Sequence, residues 1–344
     1  MKQAILLFCI LFLATQVAFA QKNNLDVKSE AAMVFNAQND RVIYDKNADK
    51  VMPIASITKL MTAMVTLDAR LSPNERITIT QADVDKLKRT SSRLPVGSSY
   101  PRHELLRLAL MSSENRAAAA LGRTYPGGIN AFVAAMNQKA RKIGMTNSRF
   151  VDSSGLNSNN VATARDLAKM VTASNNYAAI REFSTTSKHF VSPGNKRGPL
   201  QYVNSNSLVR NQDWAINVSK TGYLNEAGRC LVMQAKISGQ PVVIVLRQAM
   251  KREGFVADEE SPGFEQVELL LIRFRRFAHG DSGGVPGLDN VQKETSLGAH
   301  RREAWEVLLP GVMYGTGQDC KLRIREIMEP PVAASEFCRG LQQN

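Results

Sequence analysis

Cysteine is scarce in this chain of 344 residues, which contains four. Cys9 lies in the N-terminal apolar stretch, and the others are Cys230, Cys320 and Cys338. An odd number beyond that stretch does not make a disulfide scaffold. No pair shows the C-x-x-C or Cys/His spacing of a zinc site, so we expect no metal site. Cys230 falls in a strand-like segment and is expected to be a small core residue.

Long apolar runs are equally rare. The run from Ile5 to Leu13 is too short for a membrane span, and no later segment has 18 uninterrupted apolar residues. With Lys2 before it and Ala18-Phe-Ala20 after it, this run is typical of an export signal. We therefore expect residues 1–20 to be removed and a mature protein, outside the cytoplasm, to begin near Gln21.

Acidic residues are in deficit, because 31 Asp and Glu stand against 44 Lys and Arg, a formal net charge of +13. Such a charge is compatible with nucleic-acid binding, but an exported protein rarely meets nucleic acid, and we expect no such partner. An anionic polymer or a membrane surface is a better candidate for a peripheral contact. General solubility explains the charge equally well.

Hydrophobic periodicity predicts an α+β protein, with short strands on both sides of a mostly helical middle in one composite unit, residues 21–246. Strands are expected at 32–35, 41–44, 76–80, 188–191, 215–218, 229–237 and 241–246, and helices at 55–67, 81–88, 103–111, 117–121, 129–143 and 163–173. Ser238-Gly-Gln240, between the last two strands, predicts a hairpin. Residues 247–344 show no clear period and stay unassigned as a C-terminal tail.

A serine and a lysine stand out in the helical stretch Pro53-Ile-Ala-Ser-Ile-Thr-Lys-Leu-Met-Thr-Ala-Met64. Ser56 and Lys59 are three positions apart, so one helix face carries both and the amine can reach the hydroxyl. The serine falls in the first turn, where backbone N–H groups are free to donate to an oxyanion. Burial lowers the pKa of a lysine, so a neutral amine can activate a serine, which is otherwise a poor nucleophile. Taken alone, S-x-x-K is common and carries little weight.

Two further short motifs follow along the chain. Ser113-Glu-Asn115 lies between two helical segments, where a loop is expected, and it supplies a hydroxyl that could relay protons and an amide that could hold a carbonyl group. Lys220-Thr-Gly222 follows a strand-like segment, and its lysine and threonine could bind a carboxylate. Gly222 permits close approach of the backbone to a ligand. Each motif is weak alone, but the ordered set S-x-x-K, S-x-N and K-T-G is specific.

With these motifs, residues 30–246 resemble the low-molecular-mass penicillin-binding proteins of the D-alanyl-D-alanine carboxypeptidase and endopeptidase group. Longer phrases also carry the resemblance: Leu108-Ala-Leu-Met-Ser-Ser-Glu-Asn-Arg-Ala-Ala-Ala119, Phe150-Val-Asp-Ser-Ser-Gly-Leu156 and Val218-Ser-Lys-Thr-Gly-Tyr-Leu-Asn-Glu-Ala-Gly228. The Ser-Glu-Asn version of the second motif, followed by Tyr125-Pro-Gly-Gly128, is most similar to the endopeptidase branch. The resemblance implies the β-lactamase/transpeptidase-like fold, an antiparallel sheet flanked by helices with a helical lobe.

The resemblance also implies an activity and its catalytic residues. D-alanyl bonds of peptidoglycan peptides would be cleaved in the periplasm without a metal or organic cofactor, and β-lactam antibiotics would acylate the enzyme as inhibitors. Ser56 would be the nucleophile, Lys59 the general base and Ser113 a proton relay. The backbone N–H groups of Ser56 and Tyr223 would form the oxyanion hole.

The substrate-binding residues implied by the resemblance come from the second and third motifs. Asn115 would orient the substrate. Lys220 and Thr221 would hold its carboxylate or the equivalent group of a β-lactam. Gly222 and Tyr223 complete the set.

Three rival functions stand beside the endopeptidase that we favour. A D-alanyl-D-alanine carboxypeptidase would use the same site with a terminal D-alanine as the leaving group. A serine β-lactamase needs fast deacylation, often through a glutamate that places a water, and no convincing candidate follows Ser113. A non-catalytic wall-binding protein is disfavoured because all three motifs are intact.

Overall fold

The computed structural model describes residues 27–192 and 198–249. The expected export signal, residues 1–20, lies outside these ranges, as does the tail 247–344 apart from its first three residues. Within the described ranges, no helix combines the length and the apolarity needed to cross a membrane.

Strands and helices alternate in blocks along the described chain. The strands are β1 (Ser29–Asn36), β2 (Arg41–Lys46), β3 (Met52–Pro53), β4 (Arg76–Thr78), β5 (Ser99–Pro101), β6 (Val161–Ala162), β7 (Lys188–Val191), β8 (Leu200–Val203), β9 (Ile216–Leu224), β10 (Gly228–Ile237) and β11 (Gln240–Ala249). The helices are α1 (Thr58–Asp68), α2 (Arg102–Met111), α3 (Asn115–Arg123), α4 (Gly128–Lys142), α5 (Ala164–Ser174), α6 (Ala178–Ser184) and α7 (Ser207–Asn211). Short 3-10 turns lie at Ala55–Ile57 and Gln81–Asp83.

A five-stranded antiparallel sheet forms the frame of the fold, in the order β2-β1-β11-β10-β9. Strand β1 pairs with β11, the last strand of the described residues, so that Val34 lies opposite Ile244. Three two-stranded ribbons, β3–β6, β4–β5 and β7–β8, lie outside this sheet. The predicted hairpin between β10 and β11 is confirmed, because Ser238 and Gly239 both have positive φ, 49° and 81°, as a tight two-residue turn requires.

The central strands are apolar on both faces. On β10, Val232 belongs to the main hydrophobic cluster on the helical side, and the next residue, Met233, belongs to a second cluster on the opposite face. This alternation follows from the two-residue period of a strand. Cys230 is buried in the main cluster, as expected.

Helix α1 lies at the centre of the main cluster. All its residues from Thr58 to Thr66 are buried, and a helix enclosed in this way is largely apolar on every side. Leu60, Met61 and Met64 pack in one cluster with side chains from α2, α3, α5 and one sheet face. Lys59 belongs to the same buried stretch, so the packing of its own helix holds its side chain away from water.

The helix predicted at 81–88 is wrong. Helical structure ends at Asp83, whose carboxylate accepts the Thr80 N–H at 2.7 Å and caps the turn. The Asp85 carboxylate then accepts backbone N–H groups of the residues that follow it, and such local side-chain bonds compete with a helix. The N–H donors are those of Leu87, Lys88 and Thr90. The sequence pattern also missed α6, α7 and β8, each of which has seven residues or fewer.

Strand β11 continues past Leu246, where the expected domain ends. Arg247 is fully buried and donates from Nη1 to the Ala162 carbonyl oxygen at 2.6 Å and from Nη2 to the Pro53 carbonyl oxygen at 2.5 Å. Those two carbonyl groups belong to the β3–β6 ribbon. The guanidinium therefore ties the end of the sheet to the segment that leads into α1.

The loop from Val151 to Asn160 packs beside the start of α1. The Asp152 carboxylate organises this loop by accepting the backbone N–H groups of Ser154, Gly155 and Asn157. Asn160 fastens the loop to the helix, because its Nδ2 donates to Thr58 Oγ1 at 3.1 Å. A second bond runs from the Thr62 hydroxyl to the Ser153 carbonyl oxygen at 2.6 Å.

Gly155 approaches the backbone so closely that we expect no side chain to be accommodated there. Its φ is +82°, and an added Cβ would lie 2.0 Å from the Ala55 carbonyl oxygen. We predict that Gly155→Ala lowers the free energy of unfolding by about 3–5 kcal/mol, because a steric overlap adds to the cost of a left-handed alanine, about 1–2 kcal/mol. Thermal unfolding followed by circular dichroism measures the loss.

Gly128→Ala is the matched control. Gly128 has a φ of +74°, but nothing lies within 4 Å of its added Cβ. This variant should lose only the backbone cost of about 1–2 kcal/mol. Equal losses in the two variants would contradict the close contact between Gly155 and Ala55.

Candidate active site

Ser56 lies in the 3-10 turn that runs directly into α1. Ala55, just before it, has a positive φ of 46°, which is uncommon for a residue with a side chain. Backbone strain of this kind concentrates at functional sites. The side chain of Ser56 is half-buried, whereas Ala55 and Ile57 are buried. The turn thus places one hydroxyl at the edge of the core.

The Lys59 amine is enclosed and faces three oxygen atoms. Its Nζ lies 2.6 Å from Ser56 Oγ, 2.8 Å from Asn115 Oδ1 and 2.7 Å from the Ser154 carbonyl oxygen. A neutral amine has two N–H donors and one lone pair. Because an amide oxygen and a carbonyl oxygen only accept, they take the two N–H groups. The lone pair then faces the Ser56 hydroxyl.

Burial lowers the pKa of Lys59 from 10.5 to about 7. The carboxylates of Asp152 and Glu114 act in the opposite direction, but the loss of hydration outweighs them. A large fraction of the amine is therefore neutral at neutral pH. After a proton transfer, the ammonium group would find all three of its N–H donors paired.

The second motif lies at the junction of α2 and α3. Ser113 has a positive φ of 62° and occupies the interhelical connection predicted from the sequence. Its side chain is half-buried, and its hydroxyl forms no hydrogen bond with the described residues. Asn115 is the first residue of α3, so the helix start holds its amide beside Lys59. The Nδ2 of this amide donates to Thr90 Oγ1 at 2.9 Å.

The third motif lies on β9, at one edge of the sheet, alongside the Ser56 turn. A Cβ added to Gly222 would lie 3.0 Å from the Ser56 backbone nitrogen and 3.2 Å from Ala55 Cβ. Glycine therefore lets the strand approach the turn closely. The free side of an edge strand also leaves backbone N–H groups available to a ligand.

The side chains of the third motif differ in exposure. Lys220 is buried, and its Nζ donates to the Thr221 carbonyl oxygen at 2.8 Å. Burial lowers the pKa of Lys220 well below its usual value, and the nearby charge of Lys59 lowers it further. Tyr223 is exposed at the rim. Because the two lysines repel each other when both are charged, an anion bound near them would favour their protonated forms.

Sequence reasoning missed three groups that support the site. Ser154 lies in the segment 150–156 that carries the family resemblance. Its carbonyl could not be singled out from the sequence, because every residue carries a backbone carbonyl. The Ser205 hydroxyl accepts from Thr221 Oγ1 at 2.6 Å, and the backbone N–H of Ser205 donates to the Met111 carbonyl oxygen at 2.8 Å. It thus links β9 to the end of α2. The Thr90 hydroxyl lies two residues beyond the expected helix 81–88, in a segment for which no element was predicted.

The described residues include no group of three or more His, Cys, Asp or Glu side chains placed to hold a metal ion. Two histidines of the described chain make their contacts elsewhere. His103 Nδ1 lies 3.0 Å from the Pro73 carbonyl oxygen, and His189 pairs with Glu104. The polar groups around Ser56 are instead a lysine, an amide and a carbonyl.

Comparison with known proteins agrees with this geometry. Residues 16–250 match the family model described as D-alanyl-D-alanine carboxypeptidase, peptidase family S11. The chain is 43% identical to the D-alanyl-D-alanine endopeptidase of Pseudomonas aeruginosa over 268 residues, which is 75% of this chain and 86% of that protein. It is 45% identical to the D-alanyl-D-alanine endopeptidase of Escherichia coli over 233 residues, 68% of this chain and 75% of that protein.

A solved structure shows the same fold. The crystal structure of the Streptomyces K15 DD-transpeptidase superposes with a TM-score of 0.64 at 25% identity, over 73% of this chain and 98% of that one. The predicted α+β, β-lactamase/transpeptidase-like fold is confirmed, as is the family resemblance drawn from the three motifs. The chain belongs to peptidase family S11, the D-alanyl-D-alanine carboxypeptidase family of serine peptidases.

Proposed function

We propose that this protein is a serine D,D-endopeptidase that hydrolyses the D-alanyl crosslinks of peptidoglycan through an acyl-enzyme on Ser56. The observation that carries the proposal is the 2.6 Å contact between Lys59 Nζ and Ser56 Oγ, with the two other hydrogen bonds of the amine made to acceptors. The two relatives named as endopeptidases support the choice of substrate.

Acylation begins when Ser56 Oγ attacks the carbonyl carbon of the D-alanyl bond. Lys59 takes the hydroxyl proton on its lone pair. The backbone N–H groups of Ser56 and Tyr223 stabilise the oxyanion, an interaction whose loss typically costs about 10²–10³ in rate. Ser113 passes the proton to the leaving amine, and the C–N bond breaks. The products of this step are a free amine and an ester on Ser56.

Deacylation repeats these steps with water as the nucleophile. The water loses a proton to Lys59 and attacks the ester, and Ser56 leaves as a hydroxyl. Asn115 orients the acyl chain through its free N–H. Lys220 and Thr221 hold the carboxylate of the substrate, and the bound anion would favour the protonated form of Lys220, whose pKa is lowered by burial.

A periplasmic location and a peripheral contact with an anionic wall or membrane surface belong to the same proposal. The N-terminal export pattern supports the location, and the net charge of +13 supports the contact. β-lactams would enter as substrate mimics that acylate Ser56 and leave slowly.

We predict that Ser56→Ala abolishes reaction with labelled penicillin and lowers crosslink cleavage by about 10⁴-fold or more, because no other hydroxyl of the described residues is hydrogen-bonded to the Lys59 amine. The measurement adds labelled penicillin to the fluid that osmotic shock releases from cells expressing each variant. Labelled protein in that fluid reports both the reactive serine and the periplasmic location. A label that persists on the wild type argues against a β-lactamase.

Ser112→Ala is the matched control for that experiment. The Ser112 hydroxyl, just after the end of α2, donates to the Leu108 carbonyl oxygen of that helix and lies outside the proposed machinery. Labelling should stay near that of the wild type. Retained labelling in Ser56→Ala, with an unchanged circular dichroism spectrum, would remove Ser56 from its role.

The pH dependence of acylation should report the Lys59 amine. Because its pKa is lowered to about 7, the neutral base is lost below that pH and predominates above it. We predict a penicillin acylation rate that rises about tenfold per pH unit below pH 7 and levels off above it. Stopped-flow quenching by a fluorescent penicillin measures the profile.

Lys59→Arg serves as the comparison, since a guanidinium stays protonated throughout this range and offers no lone pair. Its acylation should be lost at every pH. A wild-type profile that is flat from about pH 5 to pH 9 would contradict a titrating base.

A D-alanyl-D-alanine carboxypeptidase is the second candidate, and the description of the family model favours it. We predict a kcat/KM on a crosslinked muropeptide dimer at least about tenfold above that on a pentapeptide monomer, equivalent to about 1.4 kcal/mol of transition-state binding. Chromatography of the products from each purified muropeptide after digestion measures the two kcat/KM values. The opposite order would assign the carboxypeptidase.

A further inference from the structure

The amide of Asn115 lies between two polar partners of different kinds. Its Oδ1 lies 2.8 Å from Lys59 Nζ, and its Nδ2 lies 2.9 Å from Thr90 Oγ1. A carboxamide has nearly the same shape after a half-turn about its last bond, so hydrogen-bond partners decide which atom faces which side. At Lys59 both orientations could form a bond, because a neutral amine both donates and accepts. The partner on the other side of the amide, Thr90, must therefore determine which way the amide is oriented.

Asp85 decides what the Thr90 hydroxyl can do. One carboxylate oxygen of Asp85, Oδ2, accepts both the Thr90 backbone N–H and the Thr90 hydroxyl, each at 2.8 Å. Burial alone would raise the pKa of Asp85, but hydrogen bonds from Lys88 and Thr90 lower it on balance, so the group is an ionised acceptor. A threonine has one hydroxyl proton. Once Asp85 takes it, the Thr90 oxygen is left as an acceptor.

We propose that Thr90, oriented by Asp85, is a positioning residue that holds the Asn115 amide with its oxygen towards Lys59. The inference rests on the proposed function and deepens it. With the amide reversed, an Asn115 N–H would donate into the Lys59 lone pair, which has to accept the proton of Ser56. The chain of bonds from Asp85 to Lys59 keeps that lone pair open.

The loop that carries Thr90 is fixed at several points. The second carboxylate oxygen of Asp85 accepts the N–H groups of Leu87 and Lys88 at 2.8 and 3.0 Å. Arg89 adopts a positive φ of 55°, which turns the chain back towards α3 just before Thr90. Lys88 forms an ion pair with Glu226 in the turn that follows β9. The loop thus contacts both the Asn115 side and the β9 side of the site.

The test compares Thr90→Val, which removes the hydroxyl at nearly constant shape, with Thr90→Ser, which keeps it. Thr90→Val should slow penicillin acylation by about 10–100-fold with little change in apparent binding, and Thr90→Ser should restore the rate to within a few-fold of the wild type. Thr78→Val is the matched control. Thr78 is exposed, and its hydroxyl lies 3.4 Å from Ser99 Oγ, so acylation should not change.

The pH profile separates positioning from a general loss of structure. In Thr90→Val the ammonium form of Lys59 loses its fixed acceptor, so the midpoint of the acylation profile should move to lower pH while the plateau falls. The other charged groups that face Lys59 remain in place, namely Asp152, Glu114 and Lys220. A lower melting temperature alone would leave the midpoint where it is.

A double-variant comparison makes the inference specific to Asn115. Adding Thr90→Val to Asn115→Ala should lower the rate by no more than about twofold beyond Asn115→Ala alone, since Thr90 acts through that amide. Multiplicative losses would overturn the proposal, as would a wild-type rate in Thr90→Val or an equal defect in Thr90→Ser. If Thr90→Val is unstable, Thr90→Ala makes the same comparison. Acylation lost in Ser56→Ala but unaffected in Thr90→Val would reject this inference and keep the proposed function.

Discussion

The desolvation of one amine is the constraint on which this structure depends. Lys59 has no exposed surface, and the packing of α1 on every side keeps water from it. A fully buried ammonium without partners would be very costly, so the site surrounds the amine with oxygen atoms from three distant parts of the chain. The Asn115 and Ser154 oxygens accept from both the neutral and the charged amine, and the Ser56 oxygen accepts from the charged amine only. The group can therefore change protonation state without leaving an unpaired donor.

The supports of that amine explain much of the surrounding architecture. The Ser154 carbonyl belongs to a loop that the Asp152 carboxylate organises. Gly155 of this loop packs against the backbone of Ala55. The Asn115 oxygen comes from the first residue of α3. Two residues of the site, Ala55 and Ser113, adopt left-handed backbone conformations that cost energy. The stability that maintains them comes from the large apolar core around α1.

The sequence predicted the parts of the site that depend on side-chain chemistry. Ser56 with Lys59, the Ser-Glu-Asn loop and the Lys-Thr-Gly strand could be located because each combines unusual residue types with a clear local pattern. Gly222 was expected to let the backbone approach a ligand, and in the structure it lets β9 approach the Ser56 turn. The helix expected at 81–88 was wrong because Asp83 and Asp85 use their carboxylates to turn the backbone, which hydrophobic periodicity does not register. The Ser154 carbonyl and the Thr90 hydroxyl could not be found, since their roles arise from long-range packing.

The pairing of β1 with β11 has a consequence for the order in which the site can form. The Lys-Thr-Gly strand, β9, joins the sheet through β10, which in turn pairs with β11, and β11 pairs with β1. Every one of these late strands lies more than 150 residues after Ser56. A chain that already carries its serine and lysine therefore has no complete site until the segment that ends at residue 249 is available to fold. The site is therefore completed only when β9, β10 and β11 have joined β1 in the sheet.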